Sequence, residues 1–277
     1  MNKDKVTAMC HKLSGEKGLT FNSAMIYYFL EEILRKLADS KYNDKFIFKG
    51  GYILSNIVGI DSRSTVDIDF IIKKMVLNEE LLISIFQNIL TDNKKELIQF
   101  ELIDIKEIKK EDEYSGYRVR VLGKLDNIRQ VIPLDIATGD ILTYRPLEYE
   151  YKTIFSGENL KILTYNLETM LAEKLETIYS KGLLNSRSKD FYDIHLLYRL
   201  KNDEIDFEKL AVACERTFNH RGTTLDFASY KEMINMILEN ENFKDRWNAY
   251  ANKNNYVNDI SFDSVIESIE LLIEKIM

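Results

Sequence analysis

The chain has 277 residues, enough for one large domain or two smaller ones with a sizeable core. Hydrophobic residues make up 45% and charged residues 30%, a globular balance, and 2 Pro with 11 Gly exclude a collagen-like or linker-rich chain. The formal net charge of −7 weighs against an architectural DNA binder, which needs a basic face, but not against an enzyme with an acidic, metal-using site.

Cys10 and Cys214 stand far apart without a CxxC partner, and the three His are scattered. They read as reduced thiols of a cytoplasmic protein, not as a disulfide framework or a zinc site. Residues 1–20 carry Lys3, Asp4, Lys5, Lys12, Glu16 and Lys17, which leaves no apolar stretch of a signal peptide. No apolar run approaches the roughly 18–20 residues of a membrane span, so no membrane association is expected.

In chain order, residues 21–39 have the helical spacing Ile26, Phe29, Leu30, Ile33, Leu34, Leu37. A short strand, 46–49, stops at Gly50-Gly51, and a brief helix follows over about 51–58. VDIDFII, 66–72, is β-rich with Asp at alternate positions. Helical periodicity returns over 78–92. Residues 97–136 read as an antiparallel series: LIQFELIDIKEI, then YRVRVLGKL, then IRQVIPLDI after a break at Asp126-Asn127. Residues 147–163 add β-prone sequence around Ser156-Gly157. From about 165 the texture is helical, over 166–181, 188–200, 206–218, 228–240, 243–253 and 261–276. This predicts an α+β lobe over 1–164 and an all-helical lobe over 165–277.

The chemistry gathers on carboxylates. Asp67 and Asp69, two apart on a strand, project from one face about 6–7 Å apart. Two like charges on an otherwise apolar strand are costly unless a cation compensates them, and Mg²⁺ prefers carboxylate oxygens together with phosphates. The pair alone fits equally well an edge strand with one solvated face. Its surroundings shift the balance. Lys49-Gly50-Gly51 ends a strand and opens a helix, where backbone N–H groups favour anions. Asp61-Ser62-Arg63-Ser64-Thr65 offers hydroxyls and a guanidinium close by. Asp135 closes the run VIPLD as a third acid, whereas Asp140 after Gly139 reads as a turn residue. On the helix 166–181, with Asn166 as N-cap, Leu167, Met170, Leu171, Leu175 and Ile178 share one arc, and Lys174 lies near its middle. Such a lysine either snorkels to a boundary or points at an acidic ligand. Asp190 and Asp193 share a helix face beside Arg187 and Lys189, as surface pairs or as groups that orient a lysine.

These residues together resemble a family. FKGGYIL, RSTVDIDF, IPLDIATGD and LAEKLETIYSKGLLNSRSKDFYDIHLL follow, in order, the motifs of the AbiEii/AbiGii nucleotidyltransferase-like toxins of type IV toxin–antitoxin and abortive-infection systems, from about Lys49 to Leu197. The resemblance implies a polymerase-β-like nucleotidyltransferase lobe, a mixed sheet with flanking helices, followed by a helical lobe. It implies metal binding by Asp67, Asp69 and Asp135, a triphosphate contact from Lys174, and Asp190 paired with that lysine, with Asp193 its close competitor. It also implies nucleotide binding around Lys49, Gly50 and Gly51. Tyr52 stands where a Gly-Ser serine is expected, leaving Ser64 or Thr65 for the triphosphate. The implied reaction is Mg²⁺- or Mn²⁺-dependent transfer of a nucleotide from an NTP to an RNA acceptor, the 3′ end of tRNA, opposed by an antitoxin encoded nearby. Two alternatives stay open: a GTP-binding growth inhibitor that transfers nothing to RNA, and a nucleotidyltransferase acting on a small molecule such as an antibiotic.

Overall fold

The computed structural model describes residues 2–65, 68–73, 75–91, 96–110, 113–138, 141–257 and 259–277, with the backbone alone at 109, 110 and 113–115. The described residues divide into two compact units. One comprises 1–56, 64–140 and 146–164; the other comprises 57–63, 141–145 and 165–277.

The first unit is a seven-stranded mixed sheet with helices. Its strands are β1 (Phe46–Lys49), β2 (Ile68–Ile72), β3 (Gln99–Lys110), β4 (Glu113–Leu125), β5 (Ile128–Ala137), β6 (Leu147–Lys152) and β7 (Asn159–Thr164), in the order β3-β4-β5-β2-β1-β7-β6. The series β3, β4, β5 is antiparallel, while β2 runs parallel to β5 and β1 parallel to β7. β2 is therefore an inner strand, flanked by β1 and β5, and not an edge. Phe48, Phe70, Leu134, Ile136 and Val119 are all but fully buried. Phe70 meets Phe46 and Phe48 edge to face, at ring-centroid distances of 5.5 and 4.5 Å. Burying each such ring contributes about 1.5–3 kcal/mol.

Helix α2 (Phe21–Ala38), capped by Thr20, buries Phe29, Leu30, Ile33, Leu34 and Leu37 of the apolar arc read from the sequence and leaves Ile26, its first member, half-buried. Phe29 lies so close to β4 that a Cβ on Gly123 would come within 2.4 Å of its ring. Glu31, on the same helix, is 2% exposed and accepts from the backbone N–H groups of Ile154 and Phe155 and, at 3.0 Å, from Tyr151 Oη. Since Tyr151 donates there, the Tyr52 hydroxyl 2.8 Å away donates to Tyr151. A helix absent from the sequence reading, α1 (Lys3–Lys17), precedes α2. It buries only a thin stripe of Val6, Cys10 and Leu13, and its clearest sequence signals are its ends, Asn2 as N-cap and left-handed Gly18 as C-cap. Helices α3 (Gly50–Val58) and α4 (Glu79–Ile89) follow β1 and β2.

The second unit is helical: α5 (Leu167–Lys181), α6 (Ser188–Lys201), α7 (Phe207–His220), α8 (Phe227–Leu238), α9 (Glu241–Lys253) and α10 (Phe262–Ile276). Asn166 caps α5 through Thr169 N, at 3.1 Å. Aromatic side chains fill the core around α6, where Tyr192 contacts Trp247, Tyr250 and Tyr256. Among the described residues no helix is long and apolar enough to cross a membrane.

Candidate active site

Four residues form one row across the sheet of the first unit. Lys49 on β1 pairs in register with Asp69 on β2, Asp69 with Asp135 on β5, and Asp135 with Arg118 on β4. Residues paired in this way project from the same face, with neighbouring strands about 4.8 Å apart. The face opposite is apolar, because Ile68, Phe70, Leu134, Ile136 and Val119 fill the alternate positions. The result is an alternation of charge, a cation at each end and two carboxylates between. Asp67 and Asp140 lie outside the described residues.

The glycine turn is built around Asp69. Gly50 has φ +74°, and a Cβ there would stand 2.3 Å from Asp69 Oδ2. Only glycine meets both conditions. The start of α3 thus presses directly on one oxygen of the central carboxylate. Asp135 is held at the other end by a two-pronged pair, Arg118 Nε to Oδ1 and Nη2 to Oδ2, each 2.7 Å. Among the described residues no group of three His, Cys, Asp or Glu could hold a metal ion. The row supplies two hard oxygen donors side by side on one face, the donor chemistry that suits Mg²⁺ or Mn²⁺.

The second unit holds the other charged cluster. Lys174 Nζ on α5 lies 2.7 Å from Asp193 Oδ2 and 3.1 Å from Asp190 Oδ1, both on α6. Both aspartates therefore engage the lysine. Arg63 Nε lies 2.7 Å from Asp193 Oδ1, and Arg187 Nε lies 2.7 Å from Asp190 Oδ2 without the alignment of a hydrogen bond. The side chains of Asp193, Asp190, Arg63 and Lys174 are 1%, 3%, 5% and 14% exposed. Burial alone would lower the lysine pKa, but Asp193 and Asp190 outweigh it and hold the ammonium above its ordinary value. For Asp193 burial works upward, yet Lys174 and Arg63 carry the carboxyl below the usual range. Lys174 is a permanent cation at neutral pH, not a proton carrier.

The family model for the nucleotidyl transferase AbiEii toxin of type IV toxin–antitoxin systems matches residues 32–268. The chain belongs to this family. It is accordingly an enzyme of the nucleotidyltransferase class. Solved structures share the fold of this AbiEii chain at low identity. MenT4, a nucleotidyltransferase toxin from Mycobacterium tuberculosis, is 12% identical with a TM-score of 0.56, over 98% of each chain. JHP933 from Helicobacter pylori is 17% identical with a TM-score of 0.52, covering 93% of this chain and 94% of its own. A further H. pylori chain described as a nucleotidyltransferase is 18% identical with a TM-score of 0.52, covering 93% and 97%. No curated protein matches the chain.

The other residues around the site take the following places in this AbiEii chain. Arg63, whose guanidinium the sequence placed close to the acid pair, is buried on Asp193 and grouped with the helical unit, while Asp67 of that pair lies outside the described residues. Tyr52, at the expected Gly-Ser serine, is 1% exposed with its hydroxyl on Tyr151, so it serves the core. Ser64 and Thr65 are half-buried in the connection before β2, where the Thr65 N–H donates to Tyr27 Oη at 2.8 Å. Arg118 was not singled out. Its only sequence signal was the polar half of the alternation YRVRVLGKL, and its partner depends on strand register.

Proposed function

We propose that this AbiEii toxin transfers a nucleoside monophosphate from an NTP to an RNA acceptor, the 3′ end of a tRNA. The observation that carries the reading is the register that sets Asp69 beside Asp135 with Gly50 pressed against Asp69. Asp67, Asp69 and Asp135 are the residues that would hold a divalent cation, Mg²⁺ or Mn²⁺. When bound, that ion supplies charge neutralisation for the triphosphate and for the developing pyrophosphate. In the reaction the acceptor hydroxyl oxygen bonds to the α-phosphorus, the bond from that phosphorus to the bridging oxygen of pyrophosphate breaks, and pyrophosphate leaves. Asp135 is the carboxylate assigned to take the hydroxyl proton.

The rest is positioning and charge. Lys49 and the N–H groups at Gly50 and Gly51 bind phosphate oxygens at the start of α3, with Ser64 or Thr65 as hydroxyl donors. Lys174 has three N–H groups and gives two to Asp190 and Asp193. Its remaining N–H is assigned to the triphosphate, where a fixed positive charge favours the leaving pyrophosphate. In the type IV setting the activity arrests growth in the cytoplasm as part of abortive infection, and an antitoxin encoded nearby opposes it.

The test is incubation of the purified chain with total tRNA, Mg²⁺ and each labelled NTP in turn, beside Asp67→Asn, Asp69→Asn and Lys174→Ala. Losing one metal-binding carboxylate removes several kcal/mol of transition-state stabilisation, so incorporation should fall about a thousandfold or more in the aspartate variants. Full incorporation by Asp69→Asn would end the mechanism. GTP binding with no transfer to any RNA would make the chain a nucleotide-binding growth inhibitor. Antibiotic resistance without growth arrest on expression would point to a small-molecule acceptor.

A further inference from the structure

We propose that Arg118 is a triphosphate-binding residue, stored on Asp135 until a metal–nucleotide complex arrives. The inference rests on reading Asp69 and Asp135 as metal-binding carboxylates. Both oxygens of Asp135 are occupied by the Arg118 fork, each at 2.7 Å. A carboxylate so engaged must loosen that grip before an oxygen can turn to a cation. Loosening is easy here, because the Arg118 side chain is 50% exposed and a solvent-exposed ion pair holds weakly.

Charge then drives the exchange. A divalent ion at Asp135 turns attraction for the guanidinium into repulsion, while the nucleotide brings phosphates whose geometry suits the same two-pronged fork. The row has the order for this: Lys49, Asp69, Asp135, Arg118, with the acids central and the cations at the ends where phosphate oxygens would extend. Arg120 supplies an internal control. It lies two residues along β4 on the same face, opposite Pro133, and its fork is held by Asp104 on β3. It shares the chemistry and exposure of Arg118 without touching an acid of the row.

The experiment uses the full chain, with Mn²⁺ binding followed by electron paramagnetic resonance in the absence of nucleotide, and steady-state transfer kinetics alongside. Arg118→Ala should bind Mn²⁺ several-fold more tightly, because a competing cation is gone, and should raise the NTP KM about tenfold or more with a smaller change in kcat. Arg118→Lys should leave KM high, since an ammonium cannot reproduce the fork. Arg120→Ala should change neither. Weaker Mn²⁺ binding in Arg118→Ala would show that the arginine only braces Asp135, and an unchanged KM in Arg118→Ala and Arg118→Lys would likewise overturn the proposal. In either case, loss of Mn²⁺ binding and transfer in Asp69→Asn would leave the underlying site standing. Asp69→Asn that keeps both would remove the site and this inference with it.

Discussion

Asp135 and Asp193 are each gripped by an arginine whose Nε lies 2.7 Å from Oδ1, yet the two pairs sit in opposite environments. Arg118 and Asp135 are 50% and 22% exposed, whereas Arg63 and Asp193 are 5% and 1% exposed and share Lys174. An equal Nε–Oδ1 distance does not imply equal energy. Water screens the first pair and offers both partners other contacts, so the pair is worth about 0–1 kcal/mol. The second pair is shut away from water, and removing one partner leaves a charge buried in the core. One cluster is therefore suited to exchanging partners and the other to holding a cation fixed.

The sharpest way to break that comparison is Asp193→Ala. It leaves Arg63 and Lys174 without their shared acid and should cost about 3–5 kcal/mol of stability in denaturant melts. A loss under about 1 kcal/mol would erase the contrast with Asp135. The pH dependence has a definite sign. The depressed Asp193 pKa places its stabilisation above the ordinary carboxyl range and loses it only as pH falls through the lower folded value. The raised Lys174 pKa keeps its contribution below about pH 10 and loses it only above. From about pH 5 to 9 the cluster should contribute a constant amount.

Glu31 sharpens the point with a buried carboxylate that has hydrogen-bond donors but, among the described residues, no ion-pair contact. Burial pushes its pKa up to about 7, against the smaller downward pull of Ile154, Phe155 and Tyr151. The folded chain thus keeps a proton that the unfolded chain has released, so stability should fall as pH rises from about 4.5 to 7, by up to about 3 kcal/mol. Urea melts at pH 5 and pH 8 should show that slope in the parent and a much flatter one in Glu31→Gln. Equal slopes in both would assign the dependence elsewhere.

How far these clusters could be read from sequence follows from the kind of spacing involved. Lys174 on the apolar arc of α5, and Asp190 with Asp193 on one face of α6, are local helical patterns, legible because 3.6-residue periodicity is written in the chain. Arg63 on Asp193 spans 130 positions and has no local pattern. The row Lys49–Asp69–Asp135–Arg118 depends on the crossover order that sets β2 between β1 and β5, which no alternation in any single strand reveals. Gly50-Gly51 was legible as a turn, but not as the surface against which Asp69 packs. Helix α1 escaped because its three buried residues make too thin a stripe for periodicity to register.

Gly50→Ala tests the open end of the comparison. A left-handed φ costs alanine about 1–2 kcal/mol, and its Cβ would meet Asp69 Oδ2 at 2.3 Å. Stability should drop by about 1–3 kcal/mol. Transfer should fall much further than this modest destabilisation suggests, because the displaced group is the central acid. Transfer that tracks the folded fraction would show that the contact is structural only.

The smallest effect is expected where the contact looks best. Asp135→Asn breaks a two-pronged pair that appears as strong on paper as the one at Asp193, yet both partners can hydrate in place. Stability should change by less than about 1 kcal/mol, and raising salt from 0.1 to 1 M should shrink even that difference by screening the exposed charges. Transfer, by contrast, should be lost, since on the proposed mechanism this carboxylate holds the cation and takes the hydroxyl proton. A variant that stays folded and fails to react would separate exposure from importance. A variant destabilised as much as Asp193→Ala would show that the Arg118 pair is structural, leaving the guanidinium no freedom to move to a phosphate.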